Sequence, residues 1–264
     1  MSKRDKITAL VTAEFLDLET RVAVVEAVRD EEILLAIASS NLAVEAKTSL
    51  IGAIDREFLI STIEDNLEDA RCAKLMDLLS QRILADIIIA NRTGIIIDCA
   101  AINRLNDQQM LAEVAASDAA WSIRCAAVSK LEDENLLISI ATANKYIDTR
   151  VAAIGKVKDQ KTLAEIAVRD SSWEVRCVAV EKLEDQKLLA EIAISDKNGA
   201  VRCAATEKLE DQNLLAKIAV DDSEWTTRYA AIERLHDKRL LEKVALEDAN
   251  SDVRKKATER LKDL

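Results

Sequence analysis

One pattern returns along this chain at a nearly constant interval, and that interval limits the possible folds more than any other feature. With Arg176 as position zero, equivalent positions are Arg21, Ala46, Arg71, Asp98, Arg124, Arg150, Arg202, Arg228 and Arg254. The ten anchors are separated by steps of 25, 25, 27 and then 26 six times. Self-similarity at a period of roughly 20–50 residues marks an array in which each unit is one supersecondary motif.

Each unit reads as two helices. The anchor and the residues 3, 4 and 7 later, such as Arg176, Ala179, Val180 and Leu183, share one helical face. This is helix A. A second apolar set at positions 12, 13, 16 and 17, such as Leu188, Leu189, Ile192 and Ala193, defines helix B. Position 9 is Asp30, Asp55, Ser80, Asp107, Asp133, Asp159, Asp185, Asp211, Asp237 and Asp263. A short side-chain oxygen before an apolar helical run caps an orphan backbone N–H, for about 1 kcal/mol. Position 20 is Asn41, Asn66, Asn91, Asp118, Asn144, Asp170, Asp196, Asp222 and Asp248, where helix B stops. Ser171 and Glu174 are also spaced as a capping box for the following helix A. With no proline, four glycines and 3% aromatics, the chain lacks the turn and strand formers of a sheet protein.

A pair of such short helices cannot bury its own apolar faces, so the units must stack around one continuous core. The expected fold is all-α: a right-handed α-α solenoid of about nine two-helix repeats. An N-terminal cap helix (residues 1–18), three divergent repeats (19–97), six regular repeats (98–253) and a terminal half repeat (254–264) would form a single domain. Residues 5–17 read as a lone helix B covering the first unit through Ile7, Leu10 and Val11. The last helix A has no helix B after it, which implies either a chain cut short or an end-on homodimer through the uncapped C-terminal repeat.

The Val-Arg-x-x-Ala-x-x-x-Leu signature, as in Val201, Arg202, Ala205 and Leu209, resembles HEAT-type repeats. The 26-residue period with Asp170-Ser-Ser-Trp-Glu-Val-Arg176 is similar to the shorter leucine-rich repeat variant. The resemblance covers nearly the whole chain, most clearly from Asp98 onward. The units are shorter than typical HEAT units and lack the Asn-Pro and Thr-Pro steps of the variant. Some members of the variant family carry an iron-sulfur cluster, but its cysteine cluster is not matched here.

The anchor arginine recurs in eight units on the apolar face and needs an acidic partner, because an unpaired buried charge is costly. The acid six residues before the next anchor is the nearest candidate: Asp170 for Arg176, Asp196 for Arg202, Asp222 for Arg228, with Arg124 and Arg150 in the same structural ladder. Cys72, Cys99, Cys125, Cys177 and Cys203 all sit at position 1. Units about 10 Å apart hold them beyond the roughly 7 Å Cα limit of a disulfide. They fit no zinc spacing and read as buried free thiols.

Trp121, Trp173 and Trp225 lie three residues before alternate anchors, with Tyr146 near the intervening position. They either cover the start of helix A or present aromatic anchors to a partner. Position 18 of helix B should be polar if solvated, yet it is Ile89, Ala116, Thr142, Val168, Ile194, Val220 and Leu246. Burial between units is the favoured reading. The other is an apolar groove flanked by Glu165, Glu191, Lys217 and Lys243, in which a partner helix or extended peptide lies. Position 6 forms a basic row (Arg104, Lys130, Lys156, Lys182, Lys208, Arg234, Arg260) beside Glu181, Glu207, Glu233 and Glu259, which reads as a solvated mixed-charge face.

A net charge of −11 disfavours nucleic-acid phosphate and anionic membranes. No apolar run approaches the roughly 20 residues of a membrane span, and a soluble cytoplasmic protein is expected. His236 is the only histidine, at a polar position, and no nucleophile motif, phosphate loop or metal cluster stands out. The expected function is a non-enzymatic scaffold that binds another protein or peptide, without a cofactor. Alternatives are a nucleic-acid-binding or DNA-glycosylase-like HEAT solenoid, a chromophore-lyase-like HEAT protein, and a structural or engineered repeat array.

Overall fold

The computed structural model describes residues 2–13, 16–66, 69–90 and 94–264. The helices are α1 (Lys3–Val11), α2 (Leu18–Val28), α3 (Glu31–Ser39), α4 (Val44–Gly52), α5 (Arg56–Asp65), α6 (Ala70–Asp77), α7 (Gln81–Ala90), α8 (Gly94–Arg104), α9 (Gln108–Ala116) and α10 (Trp121–Lys130). They continue as α11 (Glu134–Ala143), α12 (Ile147–Lys156), α13 (Gln160–Arg169), α14 (Trp173–Lys182), α15 (Gln186–Ser195), α16 (Gly199–Thr206), α17 (Gln212–Asp221), α18 (Trp225–Arg234), α19 (Lys238–Glu247) and α20 (Ser251–Lys262). Even-numbered helices are helices A and odd-numbered ones helices B. No strand occurs among the described residues, and the architecture is an α-α repeat solenoid.

The position-9 residues start helices B as their chemistry requires. The Asp30, Asp55, Asp107, Asp133, Asp159, Asp185, Asp211 and Asp237 side chains each accept a first-turn backbone N–H, and Ser80 Oγ does so from Ile83 at 3.3 Å. Asn66, Asn144, Asp170, Asp196, Asp222 and Asp248 are the residues on which helices B end; Asn91 lies outside the described residues. The Ser171–Glu174 capping box does not form. Asp170 Oδ1 accepts the Ser172 N–H at 2.8 Å, which makes Ser172 the N-cap, and the Ser172 hydroxyl bonds the Glu174 carboxylate instead. At the N-terminus, α1 ends at Val11, earlier than the expected cap helix.

The chain divides into two compact units, Met1–Glu132 and Asp133–Leu264. In the second, each helix B packs most extensively against the helix A that follows it, α13 on α14 and α17 on α18, and consecutive helices A pack against one another. The compact hairpin is therefore B-then-A, closed by the turn at position 20, rather than A-then-B. Consecutive helices B approach one another less closely and leave grooves between them.

The anchors explain this grouping. Arg176 donates from one terminal nitrogen to the Asp170 carbonyl at 2.9 Å, closing its own hairpin turn. Its Nε and other terminal nitrogen make a bidentate pair with the Asp196 carboxylate, at 2.8 and 2.9 Å, on the next hairpin's turn. Arg150 with Asp170, Arg202 with Asp222 and Arg228 with Asp248 repeat the arrangement. The ladder thus exists, but its carboxylates pair with the preceding anchor; the following anchor, Arg176 for Asp170, takes only the backbone carbonyl. The reason is direction: each carboxylate already accepts the N–H two residues on, as Asp196 does from Asn198, and so faces back toward the earlier helix.

A second ladder, carried by glutamines, runs along the opposite helix ends. Gln160, Gln186 and Gln212, the first residues of their helices B, each donate to a backbone carbonyl (Lys182, Lys208, Arg234) and accept an N–H (Glu184, Glu210, His236) in the next A-to-B linker. The basic row joins them. Lys182 Nζ donates to the Gly155 carbonyl at 2.6 Å, Lys208 to Glu181 at 2.5 Å, and Arg234 Nε to Leu209 at 2.8 Å. Lys182 and Lys208 therefore satisfy carbonyls in the last turn of the preceding helix A and Arg234 one in the linker that follows it, so none of the three is simply solvated.

The first unit is built on the same plan with substitutions. Gln81 and Gln108 form glutamine rungs. Where the anchor is Ala46, the adjacent Lys47 reaches the Ala38 and Ser40 carbonyls. Arg71 pairs with Asp69 and Glu32, and the buried Asp86 is held by Arg56 at 3.0 Å and Arg82 at 2.8 Å.

Removing one partner of a buried pair leaves the other charge uncompensated, so Arg176→Leu should destabilise by about 3 kcal/mol in urea unfolding. The Asp248 carboxyl is held below the usual range chiefly by its hydrogen bond from Arg228, against burial. At Asp196 and Asp222 burial pulls upward but is outweighed by the arginine and backbone N–H bonds. A depressed folded pKa contributes stability above the unfolded value of about 4, and that stability is lost as pH falls through the folded value. The melting temperature should therefore drop below about pH 4, and the drop should be shallower in Asp222→Asn. Gln160→Ala and Gln212→Ala should cost about 1 kcal/mol each and nearly add in the double variant.

Candidate binding surfaces

Three equivalent grooves open between consecutive helices B of the second unit: α13/α15, α15/α17 and α17/α19. Their aliphatic members Val168, Ile194 and Val220 are 56%, 56% and 47% exposed, and Leu246 on α19 continues the row at 82%. The favoured expectation that position 18 is buried is thus overturned. Ile192 and Ala193 of α15 point into the core, which turns Ile194 outward, and the neighbouring helix B is too far away to cover it. The aliphatic row belongs to α13–α19, because the earlier position-18 residues Ala116 and Thr142 are small or polar and Ile89 is half-buried.

The floor of each groove is the arginine–aspartate ladder: Arg176 with Asp196 in the first, Arg202 with Asp222 in the second. Its charges are already neutralised, leaving aliphatic side chains as the sticky part. Glu191, Lys217 and Lys243 line the grooves in turn, with Glu165 exposed on α13, and position 19 adds Arg169, Ser195, Asp221 and Glu247. Such a surface can hold apolar side chains and hydrogen-bond a backbone passing over them.

The tryptophans are the first residues of α10, α14 and α18 and are exposed: Trp121 by 65%, Trp173 by 43% and Trp225 by 41%. They stand on helices A. Trp225 lines a groove of about 470 Å³ with Cys203, Glu207, Tyr229, Glu233 and Lys256. Within the second unit, Trp173 and Trp225 line none of the three helix-B grooves, so these two tryptophans and the aliphatic row are not gathered into one site. Tyr146 is the half-buried N-cap of α12, with the Lys145 ammonium 4.9 Å from its ring centre.

Only Cys72 of the five thiols is buried; Cys99 is exposed and Cys125, Cys177 and Cys203 are half-buried. Position 1 lies at the edge of the buried face of helix A, so cover depends on the neighbouring helix. Burial first, then nearby carboxylates, pushes the Cys177 thiol up to about 11 and Cys203 to about 12, which keeps both protonated at neutral pH. His236 is exposed. Among the described residues no group of three His, Cys, Asp or Glu side chains is placed to hold a metal ion, and no helix is long and apolar enough to cross a membrane. At the end of the second unit, α20 exposes Lys255, Thr258, Glu259 and Lys262, a polar rather than apolar face.

No protein-family model matches the chain, and comparison with curated proteins found no match. The glutamine rungs escaped the sequence reading, although the recurring Asp-Gln pair (Asp107-Gln108, Asp159-Gln160, Asp185-Gln186, Asp211-Gln212) was the available signal.

Because position 18 is outside the core, Val168→Asp and Ile194→Asp should each change stability by no more than about 0.5 kcal/mol. Ile192→Asp, two residues from Ile194 but buried, should unfold the chain or cost several-fold more, as followed by helical circular dichroism during thermal melting.

Proposed function

We propose that the protein is a non-enzymatic binding scaffold whose second unit takes an extended peptide segment across the grooves of helices B. The observation that carries this is the row Val168, Ile194, Val220 and Leu246, four exposed aliphatic side chains on four consecutive helices B. A solvated face has no use for such a row, whereas a partner would bury it.

Helices A, the ones packed on one another, set a repeat of about 10 Å, close to the length of three residues of polyproline-II chain at roughly 3.1 Å each, an extended conformation whose three-residue turn keeps every third side chain on one face. One apolar side chain in every three would then enter successive grooves. An extended segment also brings unpaired backbone N–H and C=O groups. Arg169, Ser195, Asp221 and Glu247 offer a polar partner beside each groove. The Val-Arg-x-x-Ala signature and the paired-helix repeat support grouping the chain with HEAT-like arrays, and the neutralised groove floors favour a peptide over a phosphate backbone.

Blocked nonapeptides carrying leucine at every third position should bind with a measurable change in fluorescence anisotropy, and those with leucine at every second position at least tenfold more weakly. The triple variant Val168→Asp/Ile194→Asp/Val220→Asp should lose that binding with its circular dichroism unchanged. Equal binding of the two peptide sets, or an unaffected triple variant, would refute the reading.

A further inference from the structure

The groove on α16, α18 and α20 stands apart from the helix-B grooves, and its chemistry is revealed by comparing one repeat step with the next. At the α18/α20 step, Lys256 inserts its ammonium between neighbours from the preceding helix A: Nζ lies 2.6 Å from Glu233 Oε1 and 5.1 Å from the centre of the Tyr229 ring. The chain thus supplies its own example of a lysine held by a carboxylate and an aromatic face, an arrangement favourable to cations.

One repeat earlier, at the α16/α18 step, the equivalents of Lys256, Tyr229 and Glu233 are Ala230, Cys203 and Glu207. The carboxylate is kept and the ammonium is missing. The aromatic face comes instead from Trp225, which lines the same groove. Cys203 Sγ lies 3.7 Å from Glu207 Oε1 and 3.6 Å from the Thr226 carbonyl, which sets Glu207 beside the residue that follows Trp225. The neighbouring steps lack this combination: Glu181 at α14/α16 faces a helix beginning with Gly199, and Trp173 at α12/α14 meets Gly155 at the carboxylate position.

Charge points the same way. Four carboxylates line the groove against two ammonium groups, and those two are engaged, Lys256 with Glu233 and Lys255 with Glu259 at 3.8 Å. Glu207 and Asp252 are left without a cationic partner among the described residues. We infer that this groove binds a lysine side chain of a partner polypeptide, with its ammonium between the Trp225 ring and the Glu207 carboxylate. The inference stands on a different surface from the peptide grooves of helices B and does not depend on them.

The test uses the full chain with Trp121→Phe and Trp173→Phe, so that Trp225 is the sole indole. The probe is a blocked pentapeptide with one central lysine among alanines, titrated at physiological ionic strength. Trp225 fluorescence should change saturably, with about tenfold weaker binding for the same peptide bearing an Nε-acetylated lysine. Glu207→Gln, an isosteric change at an exposed position, should weaken the lysine peptide by a similar factor and leave the acetylated one unaffected, with unchanged circular dichroism. The inference is overturned if the lysine peptide gives no saturable change, if acetylation makes no difference, or if Glu207→Gln binds as the parent does.

Discussion

A charged guanidinium on the apolar face of a helix is tolerable only when its donors are used, and that requirement organises the second unit. Arg150, Arg176, Arg202 and Arg228 each divide their donors between two turns, giving one terminal nitrogen to the carbonyl that closes their own hairpin and two nitrogens to the carboxylate of the next. A residue inserted between Arg176 and Asp196 would shift the carboxylate out of reach and leave both charges buried, at a cost of several kcal/mol. The constant step of 26 is the sequence record of that geometry. Where the anchor is Ala46 or Asp98 the steps become 25 or 27, and other groups take over the carbonyls, as Lys47 does.

The glutamine and lysine rungs fix the other helix ends with less electrostatic risk. An amide can donate to one backbone group and accept from another without a buried net charge, so Gln160, Gln186 and Gln212 tolerate the partly solvated linkers they clasp. Together the two ladders hold the helices by their ends. The outward faces then carry little structural burden, and position 18 of helix B and the first residue of helix A are free to vary from repeat to repeat.

Much of this was legible in the sequence, because the core and the caps depend on local spacing. Asp185 before Leu188 and Leu189 announces a helix start, and Ile192 with Ala193 announces its buried side. What was not legible depends on which helix packs on which. Spacing alone puts Asp170 six residues from Arg176 and 20 from Arg150, and the nearer partner looked the better one. Only the fold shows that the carboxylate turns back toward Arg150. The exposure of Ile194 and the capping work of Lys182 were hidden for the same reason, since both are set by the distance to a neighbouring repeat.

A repeat array offers its own controls, and these weigh more here than any single residue type. Positions whose role every unit keeps, such as the capping aspartate that Ser80 replaces once, are explained by the need to fold. Departures from the repeat are not. Lys256 and Tyr229 occupy places held by Ala230 and Cys203 one unit earlier, while Glu233 and Glu207 are the same residue at the same place. The fold needs neither the aromatic ring nor the ammonium, because the earlier unit packs without them. The retained glutamate is thus a group that one repeat pairs with an ammonium and the other leaves with only the weak Cys203 thiol, and the exposed indole of Trp225 beside it favours a cationic ligand there.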